Sequence, residues 1–452
     1  MNDIHVTAYG ATNYVGRSAF LLSDKDHRIL LDCGLQLVPK QFSIAPKGVD
    51  AIASSLDAVL LSHAHIDHSG YMPSLSRNGY RGNYYMTHPT KEITYRLWLD
   101  HLKIEGRRHW GESDLDRVYH KIRTLNYDKT FKLTDGITAR FINAGHVLGA
   151  AQILIDWEGT QILYTADINN RITPMFDGFE IPDEDIDVLL TESTNGDRHV
   201  PERFKINVGL RMTAKQIALE KHKLILPSFA VGRSQETLIT LALDKDLNDI
   251  PVYIDGMINL MNMITENYLS EKWVSQRFLE QLKDAGLQSP FEKSNFIPVN
   301  SISERTHSAR KYIAQNREGS IIVTTSGMLE GGPVHTYLDL LGGDENNVIG
   351  FTGYQVEGTL GRDIFDGETD VTLDTGRGRK KNLHLKSKIM RFPYSGHSSV
   401  DGIKFLMQET KAQDIILVHG DKRNQEFILN YVKDIAQPRI LKEGIKTKLI
   451  SV

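Results

Sequence analysis

Cysteine is nearly absent from this chain: one, Cys33, stands among 452 residues. That excludes an intramolecular disulfide and suits a reducing cytosol. Cys33 follows Asp32 at the end of an apolar stretch and reads as a small packed residue rather than a nucleophile. Long hydrophobic runs are missing as well. None reaches about 18 residues, so neither a spanning helix nor a membrane partner is expected. The N-terminus lacks the basic-then-apolar pattern of a signal peptide, which makes the cytoplasm the expected compartment. Charge of one sign is not in excess either. The 53 basic and 57 acidic residues leave a net −4, so a nucleic-acid partner would have to be held by local patches. Internal repeats and low-complexity linkers are absent, which predicts closely packed domains, two or three of them at about 150 residues each.

What the chain does have is concentrated. Three histidines and one aspartate fall within His63-Ala64-His65-Ile66-Asp67-His68, directly after the apolar run Ala58-Val59-Leu60-Leu61. Four apolar residues in a row read as a buried strand, which puts the polar cluster on the loop leaving its end. Imidazoles plus a carboxylate are what a divalent transition metal, most often zinc, selects. A loop rich in histidine by chance is the alternative.

Taken in order, the first stretch reads as short strands over Ile4 to Ala8, Ala19 to Leu22 and Arg28 to Leu31, the last ending in Asp32-Cys33-Gly34. A short helix is expected near Tyr71 to Ser76. A longer one runs towards Glu105, capped by Thr90, with Ile93, Leu97 and Ile104 on one face. Later strands end in polar residues: Gly145-His146 in a loop, Thr165-Ala166-Asp167, and Thr191-Glu192-Ser193-Thr194. From about Asn195 to Leu383, apolar strands alternate with helical stretches, including a long helix from Leu260, which predicts a parallel sheet wound with helices. The closing section carries a strand near Leu385 to Phe392, then Ser395-Gly396-His397, then Val418-His419-Gly420.

Ten polar groups thus collect near strand ends: Asp32, His63, His65, Asp67, His68, His146, Asp167, Glu192, His397 and His419. They exceed the needs of one tetrahedral zinc and suit two metals that share a carboxylate. Two metals about 3.5–4 Å apart can activate a water and stabilise an in-line displacement at phosphorus. Other histidines such as His88, His335 and His384 lack such company and read as surface or satisfied core residues.

The stretch His63 to His68 resembles the signature of the metallo-β-lactamase superfamily. Glu192-Ser193-Thr194, the Ser326-to-Pro333 loop, Gly353 to Arg362, Ser395-Gly396-His397 and Val418-His419-Gly420 resemble its β-CASP branch, which processes nucleic acids. The resemblance covers essentially the whole chain. It implies an α/β fold, a metallo-β-lactamase αββα sandwich with an inserted β-CASP domain. The expected bounds are 1–195 for the first part of the lactamase domain, 196–384 for the insertion and 385–452 for the lactamase domain's C-terminal part. The insertion would cover the metal cleft so that a single strand threads between the domains. Two Zn2+ per chain are implied, one on His63, His65 and His146, the other on Asp67, His68 and His419, with Asp167 bridging and Asp32 behind the ligands. Asp67, Glu192 and His397 are the residues it marks as catalytic, His397 donating a proton to the leaving oxygen and Glu192 orienting it. His419 resembles the members that act on RNA.

Candidate RNA contacts are the backbone at Ser326 and Gly327 and the basic run Arg377, Arg379, Lys380 and Lys381. A plain turn and a solvated hairpin are the respective alternatives. Gly232-Arg233-Ser234-Gln235-Glu236 also matches the family but receives no role from its chemistry. The chain opens at the first lactamase strand and closes soon after His419, so neither KH modules nor the extra C-terminal domain of bacterial RNase J is expected. The short form resembles archaeal members related to cleavage and polyadenylation specificity factor. The expected activity is therefore zinc-dependent hydrolysis of single-stranded RNA by metal-bound hydroxide, 5′→3′ from the end, in a protein that relatives suggest is a homodimer. An endoribonuclease for 3′-end processing is the alternative. Two further classes compete: a glyoxalase II-like small-molecule hydrolase, which has no use for the insertion, and a non-catalytic RNA-binding subunit, which would be expected to lose ligands.

Overall fold

The computed structural model describes residues 3–374 and 379–449. The chain forms two compact units, one of Met1–Arg171, Asp177–His199 and Gly396–Val452, the other of Ile172–Phe176 and Val200–Ser395.

The first unit is built on two seven-stranded sheets. In spatial order one holds Thr447–Lys448, His5–Ala8, Phe20–Ser23, Arg28–Leu31, Ala58–Leu60, Asn83–Thr87 and Ile122–Leu125. The other holds Arg439–Ile440, Asp414–Val418, Val188–Glu192, Thr160–Tyr164, Ala151–Trp157, Ile137–Asn143 and Phe131–Thr134. Strand alternation explains the layering. Ile29, Leu31 and Leu60 point into the core between the sheets, where they join Phe20, Phe141, Ile153, Ile162, Leu190 and Ile416. Their neighbours Leu30, Val59 and Leu61 point outward, against Met72, Leu75, Trp98 and Val118 of the covering helices and Trp110 of the segment between two of them. Both faces of the strand at 58–60 are buried, which is why its sequence is apolar throughout. Helix Val400–Thr410 lies against the outer side of the second sheet and completes the αββα order. The hairpin between Trp157 and Thr160 turns on Glu158 and Gly159, both at positive φ (51° and 94°), the two-residue geometry that matches strand twist.

The second unit carries a six-stranded sheet in the order Phe296–Pro298, Val252–Asp255, Ser320–Thr324, Lys223–Pro227, Val348–Phe351 and Lys388–Arg391. All its pairings are parallel, as the strand–helix alternation predicts. A two-stranded antiparallel ribbon, Asp370–Asp374 with Lys380–His384, stands beside it.

Several expectations need correction. The long helix is capped by Thr87, whose hydroxyl accepts from the Thr90 N–H, because Pro89 suits the first turn and draws the start upstream. Its buried face is Ile93, Thr94, Trp98 and His101, whereas Ile104 is 74% exposed. The helix expected from Leu260 is a nine-residue segment, Ile258–Glu266. The closing strand Lys388–Arg391 hydrogen-bonds to Val348–Phe351, and the second compact unit runs to Ser395. Such sheet pairing is invisible in local composition.

Candidate metal centre

Parallel strands bring their C-terminal ends to one edge, and in the first unit several such ends lead within three residues to a carboxylate or an imidazole. In the first sheet Leu31 and Leu60 are in register, and the chain leaves them into Asp32 and into Ser62-His63. In the second sheet Tyr164 pairs with Leu190, and Glu192 with Val418, so Asp167, Glu192 and His419 emerge side by side. His146 comes from the loop between Asn143 and Ala151, which Gly145 and Gly149 tighten at φ 67° and 78°. Asp32, Ala166 and His419 sit at φ 56°, 49° and 49°, sharp left-handed exits that non-glycine residues seldom adopt. The histidine-rich loop itself is held by its backbone. Asp67 O accepts from Ser18 N at 2.8 Å, His68 O from Cys33 N at 2.8 Å and Ile66 O from Leu35 N at 2.9 Å. Gly34 is obligatory in this clamp, since a Cβ there would stand 1.8 Å from Asp67 O.

Two clusters result, joined by one carboxylate. His63 Nε2 lies 3.1 Å from His65 Nδ1, which lies 3.2 Å from His146 Nε2. Asp167 Oδ2 is 3.5 Å from His63 Nε2 and 3.7 Å from His146 Nε2. The second cluster has His68 Nε2 and Asp67 Oδ2 each 3.3 Å from His419 Nε2. The other Asp167 oxygen, Oδ1, faces it at 3.3 Å from His68 Nε2 and 3.1 Å from His419 Nδ1. A tetrahedron of nitrogens about 2.0–2.1 Å from a zinc ion has edges of about 3.3–3.4 Å, and the distances of the first cluster bracket that value. Ring nitrogens this close with lone pairs converging need a cation or a proton between them. Asp167 Oδ1, buried and without a hydrogen bond, fits the same requirement. The residues therefore fit a pair of divalent metals.

Outward contacts set the tautomers. Nδ1–H of His63 can donate to Ser62 Oγ at 3.1 Å, that of His146 to Gly396 O at 2.8 Å and that of His68 to Asp32 Oδ2 at 2.8 Å, which leaves each Nε2 lone pair facing inward. Asp32, fully buried, also accepts from Ser62 N, Ser62 Oγ and Tyr164 OH, each at 2.8 Å. It thus stands behind His68. Burial pushes the His63 and His146 imidazoles well below their usual range and that of His65 down to about 4, so all three are neutral, the ligating form. Burial acts the same way on His68, but Asp167 and Asp67 overcome it and raise its pKa well above the ordinary value. For Asp67 burial works upward and the His68 and His419 imidazoles outweigh it, holding its carboxyl low.

A third group borders the first two. His397 Nδ1 donates to Glu192 Oε2 at 3.0 Å and lies 3.8 Å from Asp167 Oδ2. Glu192 is fully buried, and its Oε1 accepts from Ile168 N at 2.8 Å. Burial disfavours the His397 imidazolium, but Glu192 and Asp167 outweigh it and push the pKa up to about 9. All ten strand-end residues thus lie in this one region of the first unit.

Among the described residues, the suggested RNA contacts belong to the second unit. Ser326 Oγ donates to Gly331 O at 3.1 Å, and Gly327 packs so tightly that a Cβ would stand 2.8 Å from Phe229 N. In the ribbon, Lys381 is paired with Asp339, and Lys380 stands opposite Asp374. Arg379 directly precedes that strand, and Arg377 lies outside the described residues. His335 is a satisfied core residue that accepts from Gly331 N at 3.2 Å, while His384 pairs with Asp370 at the surface. Cys33 is buried. Sequence reasoning missed the roles of Ser62, Tyr164 and the Gly396 carbonyl. The first two directly precede ligand-bearing loops and were legible as neighbours, whereas the carbonyl left no trace in the sequence.

Sheets stacked in this order, with an imidazole–carboxylate rim divided about one aspartate, define a metallohydrolase of metallo-β-lactamase type. The comparisons carry the assignment further. Residues 20–194 match the metallo-β-lactamase superfamily domain, 235–364 the Beta-Casp domain, and 382–439 the Zn-dependent metallo-hydrolase RNA specificity domain. An RNase J-like protein of Methanocaldococcus jannaschii is 30% identical over 92% of this chain and 92% of its own length. A transcription termination factor FttA of Methanosarcina mazei is 31% identical over 93% of this chain and 67% of its own. Cleavage and polyadenylation specificity factor subunit 3-I of Arabidopsis thaliana is 29% identical over 93% and 59%. A crystal structure of an Enterococcus faecalis protein of unknown function shares the fold, at TM-score 0.58 and 13% identity over 99% of this chain and 100% of that one. The chain belongs to the β-CASP ribonuclease family of the metallo-β-lactamase superfamily.

Proposed function

We propose that the protein is a zinc-dependent ribonuclease that holds two Zn2+ ions and degrades single-stranded RNA 5′→3′, leaving 5′-phosphate and 3′-hydroxyl ends. One observation carries this reading: the Glu192–His397 pair stands against two ligand clusters that share Asp167. His63, His65 and His146 would hold one ion, Asp67, His68 and His419 the other, with Asp167 between them. Bound there, such a pair lowers the pKa of a water to near neutrality and offsets charge on the phosphate. Asp67, whose side chain is 26% exposed, would accept a hydrogen bond from the water whose oxygen bonds to phosphorus and would orient it. As the bond from phosphorus to the 3′-oxygen breaks, His397 gives its Nε2 proton to the departing oxygen while Nδ1–H stays on Glu192. A proton from solvent restores the imidazolium. The full ligand set disfavours a binding-only subunit, and the second unit disfavours a small-molecule hydrolase. The buried lone cysteine suits the cytoplasm, and a homodimer is the assembly to test by sedimentation.

Labelled single-stranded RNA tests the mode. A 5′-monophosphate RNA should yield mononucleotides from its end, and the same RNA blocked at the 5′ end should resist. Discrete internal fragments without mononucleotides would establish the endonuclease instead. His397→Ala should keep its zinc and lose about 10²–10⁴-fold in rate; an unchanged rate would remove the acid role.

A further inference from the structure

The stretch Gly232-Arg233-Ser234-Gln235-Glu236 gains a role from the second unit. Gly232 turns the chain at φ 84°, and its N–H donates to Gln235 Oε1 at 2.7 Å, which closes the start of helix Arg233–Ala242. Arg233 and Glu236 then fall one turn apart on the same face and pair there. The other Glu236 oxygen faces Arg203 Nε at 2.9 Å. Arg203, Arg233 and Glu236 are 6%, 8% and 3% exposed, so one buried carboxylate holds two buried guanidiniums. Such a group is costly unless its geometry is needed.

Arg203 reaches further. Its Nη2 donates to Ser395 O at 2.6 Å, and its guanidinium lies over the Tyr394 ring, 5.0 Å from the centroid. The Tyr394 hydroxyl donates to Asn207 Oδ1 at 2.8 Å, one turn along the helix from Arg203. Ser395 is the last residue of the second unit, and His397 is two residues on. The carbonyls that follow are held too. Gly396 O accepts from His146 Nδ1 at 2.8 Å, and His397 O accepts from Arg171 Nη2 at 3.0 Å and Asn195 Nδ2 at 3.3 Å. Three consecutive carbonyls, 395 to 397, are therefore each fixed by a side chain.

We infer that Arg203, held by Glu236 and through it by Arg233, is a positioning residue for His397: it fixes the Ser395 carbonyl and so sets where the acid-bearing segment begins. This rests on the reading of His397 as the proton donor. An internal control exists in the same unit. Arg277 Nη2 likewise holds backbone carbonyls of a connecting segment, Thr173 O at 2.6 Å and Phe176 O at 3.4 Å, but that segment carries no acid.

The test compares Arg203→Lys with Arg277→Lys in the full chain loaded with zinc. Lysine keeps the charge near Glu236 but loses the fork that serves Glu236 and Ser395 together. Arg203→Lys should keep the parent's zinc content and its KM for a 5′-monophosphate RNA while kcat falls about tenfold or more. Arg277→Lys should leave kcat unchanged. An RNA with bridging 3′-sulfur at the linkages to be cut loses a thiolate, which needs no proton, so the Arg203→Lys defect should shrink to within about twofold there. The inference is overturned if Arg203→Lys has the parent's kcat, if both variants fall equally, or if the sulfur substrate shows the full defect. Should Arg203→Lys not fold, Arg233→Lys, one contact further from Ser395, is expected to give the same pattern with a smaller loss. His397→Ala separates the two claims, since a normal rate there sinks the acid role itself.

Discussion

Parallel strands end at one edge in each compact unit, and the two edges carry different chemistry. In the first unit the strands release Asp32, His63, Asp167, Glu192 and His419, whose carboxylates and imidazoles converge on common points. In the second unit the strands ending at Pro227, Thr324 and Phe351 release Ser228, Thr325-Ser326 and Thr352, which are hydroxyls over packed backbone. The one carboxylate there, Asp255, is consumed by Arg310 at 2.7 Å and Tyr337 OH at 2.9 Å. Sheet geometry thus offers the same place twice, and residue type decides whether it gathers metal or only stability.

The comparison can be broken from either side. Asp167→Ala should have the largest effect, because both clusters lose their shared carboxylate; activity should fall to background and zinc, by elemental analysis, below two per chain. Asp255→Asn in the second unit should cost about 1–3 kcal/mol by removing the charge opposite the half-buried Arg310, read as a lower melting temperature with zinc content unchanged. Equal zinc loss in both variants would erase the distinction. Asp32→Asn removes the acceptor behind His68 and should weaken metal binding about 10–100-fold in a chelator competition.

Proton binding sharpens the picture further. Glu192 and Asp167 push the pKa of His397 up to about 9 against the effect of burial. Its contribution to stability is therefore complete below about pH 6.5 and is lost as pH climbs through the raised value. Glu192→Gln should bring the NMR titration of that imidazole back towards about 6.5, and a midpoint that stays near 9 would assign the shift elsewhere. The smallest effect belongs to Ala166. At φ 49° it occupies a conformation that glycine adopts freely, so Ala166→Gly should be neutral or stabilising by no more than about 1 kcal/mol in thermal unfolding.

Much of the site was legible because its residues announce themselves one at a time. His63 to His68 follow a four-residue apolar run, and Asp167, Glu192 and His419 each end a strand whose burial needs no more than three to five apolar residues to read. The cap at Thr87 and the exposed Ile104 were missed for a different reason: periodicity gives a helix face only to within a residue or two, and Trp98 and Trp110 settle it by packing. The strand near Leu385 to Phe392 was legible from its apolar residues, but its partner was not: four exposed positions do not say which strand they pair with, and that is Val348–Phe351.

By itself the sequence determined the class of chemistry, since ligand types, their order along the chain and the apolar strands behind them are local properties. Tertiary structure alone decided which atoms meet. That Asp167 turns one oxygen to each cluster, that Gly396 offers its carbonyl to His146, and that Glu236 joins Arg203 to Arg233 all depend on segments as much as 250 residues apart. Backbone carbonyls have no residue-type signature, and a carboxylate does not declare its partner. Those contacts exist only once sheet pairing has brought distant strand ends to one edge.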